Sequence, residues 1–459
     1  MTAATYQEFL SRKSRRTVHA GFEADDINHR LFDWQAAIVR VACRRGRFGG
    51  FEDCGLGKSL QQLECARQIV RETGGNVLIL APLAVAAQTK READKFDIAC
   101  DVTVCRSSDD VRPGINVANY ERLHLFDAAR FAGVILDEGS IIKSVDGKIR
   151  AQVLSMFKGV PYRQTWTATP APNDYMEIGN QSEFCGVLDR MEMLATYFIH
   201  DGGETSKWRL KGHAHDAFWA WLASWAVMMR SPADIGFDAN GYDLPPMEYV
   251  PHIIETNARE PGMLFESEAS TLAERRAARR MSLDERCERA ADLANDSSEP
   301  WVIWCNLNDE GERLAALIPD AVEVAGRHTT AEKEDRLESF TLGNDRVLIT
   351  KPRIGGFGLN WQHCPNTAIF PTDSWEQWYQ MIRRFWRFGQ TRTVKAHYIV
   401  SSQESGVVRN VMRKNSDAAR MFESVVSHML AHMQHATRNE YGHMDSYNPQ
   451  EKVRVPRWM

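Results

Sequence analysis

Four short apolar runs do most to decide what this chain can fold into. They are NVLILAP (Asn76–Pro82), GINVANY (Gly114–Tyr120), FAGVILDEGS (Phe131–Ser140) and RQTWTATPAP (Arg163–Pro172), and polar, helix-like stretches separate them. A run that is apolar throughout, rather than at every second position, describes a strand buried on both faces. Such strands alternating with helices describe a parallel sheet with helices on both sides. The alternation stops, then restarts at EPWVIWCNLNDEGERLAALIP (Glu299–Pro319) and continues through AVEVAG, DRVLIT, NTAIFPTD and KAHYIVSS. A chain of 459 residues exceeds what one ordinary core organises. The expected fold class is therefore α/β, with two parallel-sheet lobes and a helical insert between them.

The segments between the lobes have a different character. HDAFWAWLASWAVMMR (His215–Arg230) is dense in aromatic residues and reads as packed helix, and YDLPPMEY (Tyr242–Tyr249) reads as a proline-fixed extended joint. LAERRAARRMSLDERCERAADLA, from Leu272, reads as one long charged helix with Arg275, Arg276, Arg279 and Arg280 on one side, either ion-paired in solvent or facing nucleic acid. The expected divisions are an N-terminal arm (1–29), a first lobe (30–180), the helical insert and joint (181–245), a charged helical linker (246–296), a second lobe (297–430) and a tail (431–459). The arm carries a short basic cluster, SRKSRR (Ser11–Arg16).

Composition narrows the class. Hydrophobic content of 43% and charged content of 25% are those of a soluble globular protein. A net charge of -5 confines any basic surface to a local patch. The nine cysteines form no CxxC pair, so neither a zinc site nor a disulfide framework is indicated. With no signal-like segment and no apolar run of membrane-spanning length, the expectation is a cytoplasmic protein without a membrane partner.

The chemistry starts at FEDCGLGKSLQQL (Phe51–Leu63). Backbone N–H groups of a glycine loop at a helix N-terminus bind phosphate because donors and helix dipole point the same way. Gly55 and Gly57 allow close approach around Leu56, Lys58 reaches the β- and γ-phosphates, and Ser59 is a magnesium ligand. Glu52 stands where the full phosphate-loop pattern has its first glycine. Asp137 and Glu138, at the end of an apolar strand, suit metal binding and polarisation of water respectively. Thr167 and Thr169, in TWTATPAPN, are placed to bridge these carboxylates to the other lobe. In EQWYQMIRRFWRFGQ (Glu376–Gln390), Gln380, Arg384 and Arg387 share one side if the segment is helical. An arginine supplied across a lobe interface accelerates phosphoryl transfer by about 10³–10⁵.

Taken in order, these segments resemble the superfamily 2 helicase-like ATPases, and among them the Snf-type DNA translocases. EDCGLGKS is similar to that family's D-E-M-G-L-G-K-T, LDEGS to D-E-x-H, TATPAPN to T-G-T-P-x-x-N, and YDLPPMEY to L-P-P-K-x-E. APLAVAAQ, VANYERL, AGRHTTAEKEDRLESF and ITKPRIGGFGLNWQHC fall where further motifs lie, and QMIRRFWRFGQ is similar to Q-x-x-x-R-x-x-R-x-G-Q. The resemblance covers residues 30–425. It implies two RecA-like lobes with ATP and Mg²⁺ in the cleft, an adenine-reading Gln35, a nucleotide contact at Gly358, and duplex DNA across both lobes with little sequence specificity. The implied DNA contacts include Pro82, Asn119, Arg327, Asn360 and Trp361.

The implied activity is a DNA-dependent ATPase that translocates. A strand-separating or fork-remodelling helicase, a motor subunit of a nuclease or methyltransferase complex, and a non-catalytic ATP-gated clamp stay open. A monomer is expected, and a protein partner such as a nuclease or replication factor is left open. Cys54, Ser59, Gly139 and Ser140 depart from the family pattern. A compact member of this kind is most similar to those carried by bacteriophages and prophages.

Overall fold

The computed structural model describes residues 21–404 except 83–84, 145–146, 172–174, 201–207, 240–241, 243, 256–271, 356–358, 371 and 373, and a few single residues beyond 404. The basic cluster at 11–16, Gly358 and the tail at 431–459 lie outside the described residues, as do the side chains of Arg275 and Arg276.

The first lobe is a seven-stranded sheet in the order β3-β4-β2-β5-β6-β1-β9. Its strands are β1 (Arg47–Glu52), β2 (Asn76–Ala81), β3 (Val102–Val104), β4 (Ile115–Asn119), β5 (Phe131–Asp137), β6 (Tyr162–Trp166) and β9 (Ala226–Met229). Every pairing is parallel. Val77 to Ala81 are completely buried, as the unbroken apolar run requires, with helices Lys58–Thr73 and Ala86–Lys95 among those that follow its strands. The four apolar runs end at Ala81, Asn119, Asp137 and Trp166, all on the C-terminal edge of the sheet. In open α/β sheets this edge is where ligands bind.

The second lobe is a six-stranded, all-parallel sheet in the order β10-β15-β14-β11-β13-β12. Its strands are β10 (Met247–Ile254), β11 (Trp301–Trp304), β12 (Ala321–Val324), β13 (Val347–Thr350), β14 (Asn366–Ile369) and β15 (Val394–Ser401). A separate antiparallel hairpin joins β7 (Phe198–His200) to β8 (Trp208–Leu210).

Three segments differ from the sequence reading. The stretch 181–245 holds helices Arg190–Tyr197 and His215–Ala223, with Trp219 buried, but it also contains the hairpin and β9. After Ala223 the helix stops in a turn, and the apolar run Ala226–Met229, buried along its whole length, pairs with β1. The stretch 246–296, read as a linker, enters the second sheet: β10 pairs with β15 from Met247 to Ile254, because the prolines before it forbid helix and its β-branched and aromatic residues suit an edge. The long charged helix is two helices, Leu272–Met281 and Leu283–Asn295, parted at Ser282. Arg279 faces inward and pairs with Glu404 at 2.7 Å, and the fully buried Arg286 pairs with Glu310 at 2.8 Å. Arg279 is therefore an internal ion pair and not part of a nucleic-acid-facing stripe.

Candidate nucleotide site between the lobes

Strand β1 delivers the chain into the glycine loop. Gly55 and Gly57 have φ of +91° and +75°, conformations that side chains rarely adopt. Space excludes a side chain too: a Cβ on Gly57 would lie 2.5 Å from Gln35 Nε2, and one on Gly55 would lie 2.7 Å from the Phe388 backbone nitrogen of the second lobe. Helix Lys58–Thr73 starts directly after Gly57 with no side chain capping it, which leaves its first-turn amides to an anion. The Lys58 ammonium donates to the carbonyls of Glu52 at 2.9 Å and Asp53 at 3.0 Å.

Gln35, expected at the adenine, braces the glycine loop in this structure. Its amide accepts from the Phe32 N–H at 3.0 Å and donates to the Leu56 carbonyl at 2.9 Å. Both ends thus brace helix Asp33–Arg45 and the glycine loop. Exposed Phe32 and Phe388, with Tyr242, form an aromatic cluster close by.

The carboxylates sit across the loop. Because β6 lies between β1 and β5, the threonines that follow β6 fall beside the residues that follow β5. Burial pushes the Asp137 carboxyl up to about 6, against the hydrogen bond from Gln62 and the charge of Lys58; Gln62 Nε2 donates to Asp137 Oδ1 at 2.9 Å. Glu138 has φ of +55°, a costly backbone for a side chain of this kind and of the sort that clusters at functional sites. One Glu138 oxygen, Oε1, accepts from Ser140 Oγ at 3.1 Å, Thr167 Oγ1 at 3.3 Å and Gln380 Nε2 at 3.4 Å. Gln380 belongs to the second lobe, so this carboxylate spans the cleft. Thr169 donates its backbone N–H to Thr167 Oγ1 at 3.1 Å, and its own hydroxyl is buried without a partner among the described residues. Gly139 and Ser140 have a physical reason here. A Cβ at Gly139 would lie 2.0 Å from Thr165 Oγ1, and Ser140 supplies a hydroxyl to Glu138.

The arginine segment is not helical throughout. Its helix is Trp375–Ile382, and Arg384 and Arg387 lie in the turns that follow, closed by Gly389 at φ +91°. They do not share a helix face. Arg384 donates to the carbonyls of Gln380 at 3.0 Å and Leu359 at 3.1 Å. Arg387 donates to Asn360 Oδ1 and retains a buried Nε without a partner among the described residues, and its Cβ is 3.3 Å from where a Gly55 side chain would begin. Burial, aided by Arg384, pushes the Arg387 guanidinium down to about 10, a condition that phosphate charge relieves.

Residues that the motif pattern leaves unassigned complete the junction. Arg383 pairs with Asp53 at 2.6 Å, and the Tyr379 hydroxyl donates to the same carboxylate. Lys143 and Glu376 form a further ion pair between the lobes. The sequence signal for Arg383 was its place between Tyr379 and Trp386, whose rings lie 5.1 and 4.6 Å from its guanidinium.

The residues expected to meet nucleic acid fare unevenly. Pro82 directly follows Ala81, which pairs with Asn119 across β2 and β4, so these two adjoin at the sheet edge; Asn119 Oδ1 is buried without a partner. Pro82 also lines an open cleft of about 530 Å³ between the lobes, with Glu138, Lys143, Lys333, Arg353 and Gln380. Trp361 is a correction. It is completely buried, donates Nε1–H to Thr341 Oγ1 at 2.9 Å and packs on Trp304, Phe340 and Phe385, so it cannot stack on a base. Asn360 is engaged by Arg387, and Arg327 pairs with Glu312 at 3.2 Å and with Glu323.

Fold and site together define an α/β protein of two parallel-sheet lobes whose glycine-loop helix N-terminus faces arginines of the second lobe. No family model matches the chain, and no curated protein matches it. Among solved structures it is similar to the Sulfolobus solfataricus SWI2/SNF2 ATPase core in complex with dsDNA, at 16% identity and a TM-score of 0.42, over 91% of this chain and 98% of that one. Among the described residues no helix is long and apolar enough to cross a membrane.

Proposed function

We propose that the chain is an ATP hydrolase driven by DNA, a translocating motor in which turnover at the cleft between the lobes moves the protein along a duplex. The observation that carries this reading is the Glu138 carboxylate, held at once by Thr167 of the first lobe and Gln380 of the second. A group that polarises water and is also bonded across a cleft responds to the closure of that cleft. The other elements agree with it: an uncapped helix N-terminus behind Gly57, Lys58 beside it, and Arg387 against Gly55.

The residues present fit a magnesium ion. Asp137 and Ser59 offer hard oxygen ligands, and the half-buried Asp137 carboxyl, pushed up to about 6, would be stabilised as an anion by a neighbouring dication. When bound, the ion would offset charge on the β- and γ-phosphates. The chain's own groups do the rest. Loop amides and Lys58 hold the phosphates, Glu138 orients and polarises the attacking water, and Arg387 meets charge that develops on the γ-phosphoryl oxygens. Pro82 and Asn119 are proposed as backbone-tracking contacts; such contacts carry little sequence information. The test is ATP turnover measured in parallel with no polymer, single-stranded DNA, duplex DNA and RNA. Stimulation by duplex DNA that weakens as salt rises is expected; equal turnover in all four would refute the DNA assignment.

A further inference from the structure

Asp53 is a residue through which the second lobe bonds to the phosphate loop. Its side chain is 9% exposed, and all its polar groups are engaged. The N–H donates to the Met229 carbonyl at 2.9 Å, which fixes it to the edge of the sheet. One carboxylate oxygen accepts the Cys54 N–H at 2.7 Å and the Tyr379 hydroxyl, and the other accepts Arg383 at 2.6 Å. The Asp53 carbonyl accepts Lys58 at 3.0 Å. Arg383 is itself held between the rings of Tyr379 and Trp386, and the Trp386 indole donates to the carbonyl of Pro245, in the joint, at 2.7 Å. An unbroken line of contacts therefore runs from the joint between the lobes, through Trp386, Arg383 and Asp53, to the Lys58 ammonium.

We propose that Arg383 and Tyr379 are positioning residues that set Lys58 through Asp53, so that the orientation of the lobes governs nucleotide affinity. This rests on the reading of Lys58 as the phosphate lysine. With the lobes together, the carboxylate is fixed from both sides and its peptide presents Lys58 in one place. When the lobes part, the carboxylate loses the guanidinium and the phenol, and that peptide is no longer fixed from the second lobe. Binding of phosphate at Lys58 and approach of the second lobe then favour each other, with a coupling that by linkage is reciprocal.

The test is binding of a fluorescent ATP analogue to the full chain, beside turnover at saturating ATP and a thermal melt. Arg383→Gln, Tyr379→Phe and Asp53→Asn should each weaken binding by about 5–150-fold, the usual span of such couplings, and lower saturated turnover by less. Asp53→Asn/Arg383→Gln should bind no more weakly than the worse single variant, because the two act as one unit. Arg383→Lys, which keeps the charge, should recover part of the loss. Tyr379→Phe removes one hydroxyl and keeps the ring, so it decides the matter if Arg383→Gln does not fold. Lys58→Ala separates the two readings. If it abolishes binding while Arg383→Gln and Tyr379→Phe bind as the wild type does, the positioning inference is overturned alone. If Lys58→Ala binds normally, the nucleotide reading fails and the inference falls with it. Additive losses in the double variant would also overturn the pairing.

Discussion

Glu52 offers the strongest test of the electrostatics at the loop. It is the last residue of β1, and its side chain is wholly buried. One oxygen accepts from Gln61 Nε2 at 2.8 Å, while Glu52 Oε1 and Gln61 Oε1 both lack a partner. Burial raises its carboxyl from an ordinary value of 4.5 to about 7, with Lys58 and Gln61 pulling the other way. For an acid raised in the folded state, the native protein holds the proton more tightly than the unfolded chain does. The cost of ionising it is therefore absent below the unfolded value, grows as pH rises from 4.5 to about 7, and is constant above that. At about 1.4 kcal/mol per tenfold, the cost is under about 1 kcal/mol at pH 5 and approaches about 3 kcal/mol at pH 8.

Replacing Glu52 by Gln removes the ionisation and brings an N–H donor to a pair in which two oxygens lack one. The variant should be more stable than the wild type by about 2–3 kcal/mol at pH 8, and within about 1 kcal/mol of it at pH 5. At about 2–4 °C per kcal/mol for a lobe of this size, the melting temperature should rise by about 5–10 °C at pH 8 and little at pH 5. The assay is a pair of thermal melts at each pH, compared as differences so that other titrating groups cancel. An equal shift at both pH values, or a loss of stability at pH 8, would show that Glu52 is not a carboxyl penalised by burial.

Three further outcomes are expected. Glu138→Gln should bind ATP but lose turnover by about 10²–10⁴-fold, the usual contribution of a group that moves or polarises a proton; wild-type turnover would remove it from the catalytic reading. Arg387→Ala should lower DNA-stimulated turnover by about 10³-fold or more while leaving ATP affinity within about tenfold, since its contribution is made mainly in the transition state; full stimulation would exclude it as the arginine finger. Trp361→Ala should cost about 3–5 kcal/mol in urea unfolding, as a large aromatic deleted from a core does. A weakened DNA affinity with unchanged stability would instead restore Trp361 as a DNA contact.

Much of the first lobe was legible because its strands are local signals. Val77–Ala81 and Val134–Leu136 are apolar without interruption, and each is followed within a residue or two by the group that matters at the sheet edge. β9 and β10 were less so. Ala226–Met229 continues an aromatic helix without a proline or glycine to mark the break, and whether four apolar residues extend a helix or fill a sheet edge depends on an open edge at β1, which is a tertiary fact. β10 lies at the rim of its sheet, with Tyr249 and Ile253 exposed, and so lacks the continuous hydrophobicity that reveals a central strand. Trp361 shows the converse limit, because an aromatic residue beside a predicted contact loop has the same letter whether it faces a ligand or Trp304.

The arginine segment shows why the detail of the junction between the lobes was only partly legible. RRFWR presents three guanidinium groups within five residues, and helical spacing sets both Arg383 and Arg384 beside Arg387, at i,i+4 and i,i+3, so it cannot tell them apart. The helix ends at Ile382, so helical spacing ceases to apply where the first arginine begins. Burial then sorts the three. The Arg383 guanidinium lies 5.1 and 4.6 Å from two aromatic rings and pairs with Asp53, 330 residues earlier in the chain; in this pair its charge is held more firmly than that of a free arginine, despite burial. Arg384 is taken up by carbonyls of its own lobe. Among the described residues Arg387 has no carboxylate partner, only the Asn360 amide oxygen, and its charge is held less firmly, down to about 10. A guanidinium already paired with a carboxylate gains little from an approaching phosphate, whereas one that is buried and incompletely paired gains most. On the proposed reading, that difference favours Arg387 for the γ-phosphoryl group and leaves Arg383 to hold the loop, a division of labour that depends on which charge meets which across the cleft and so is written in neither segment alone.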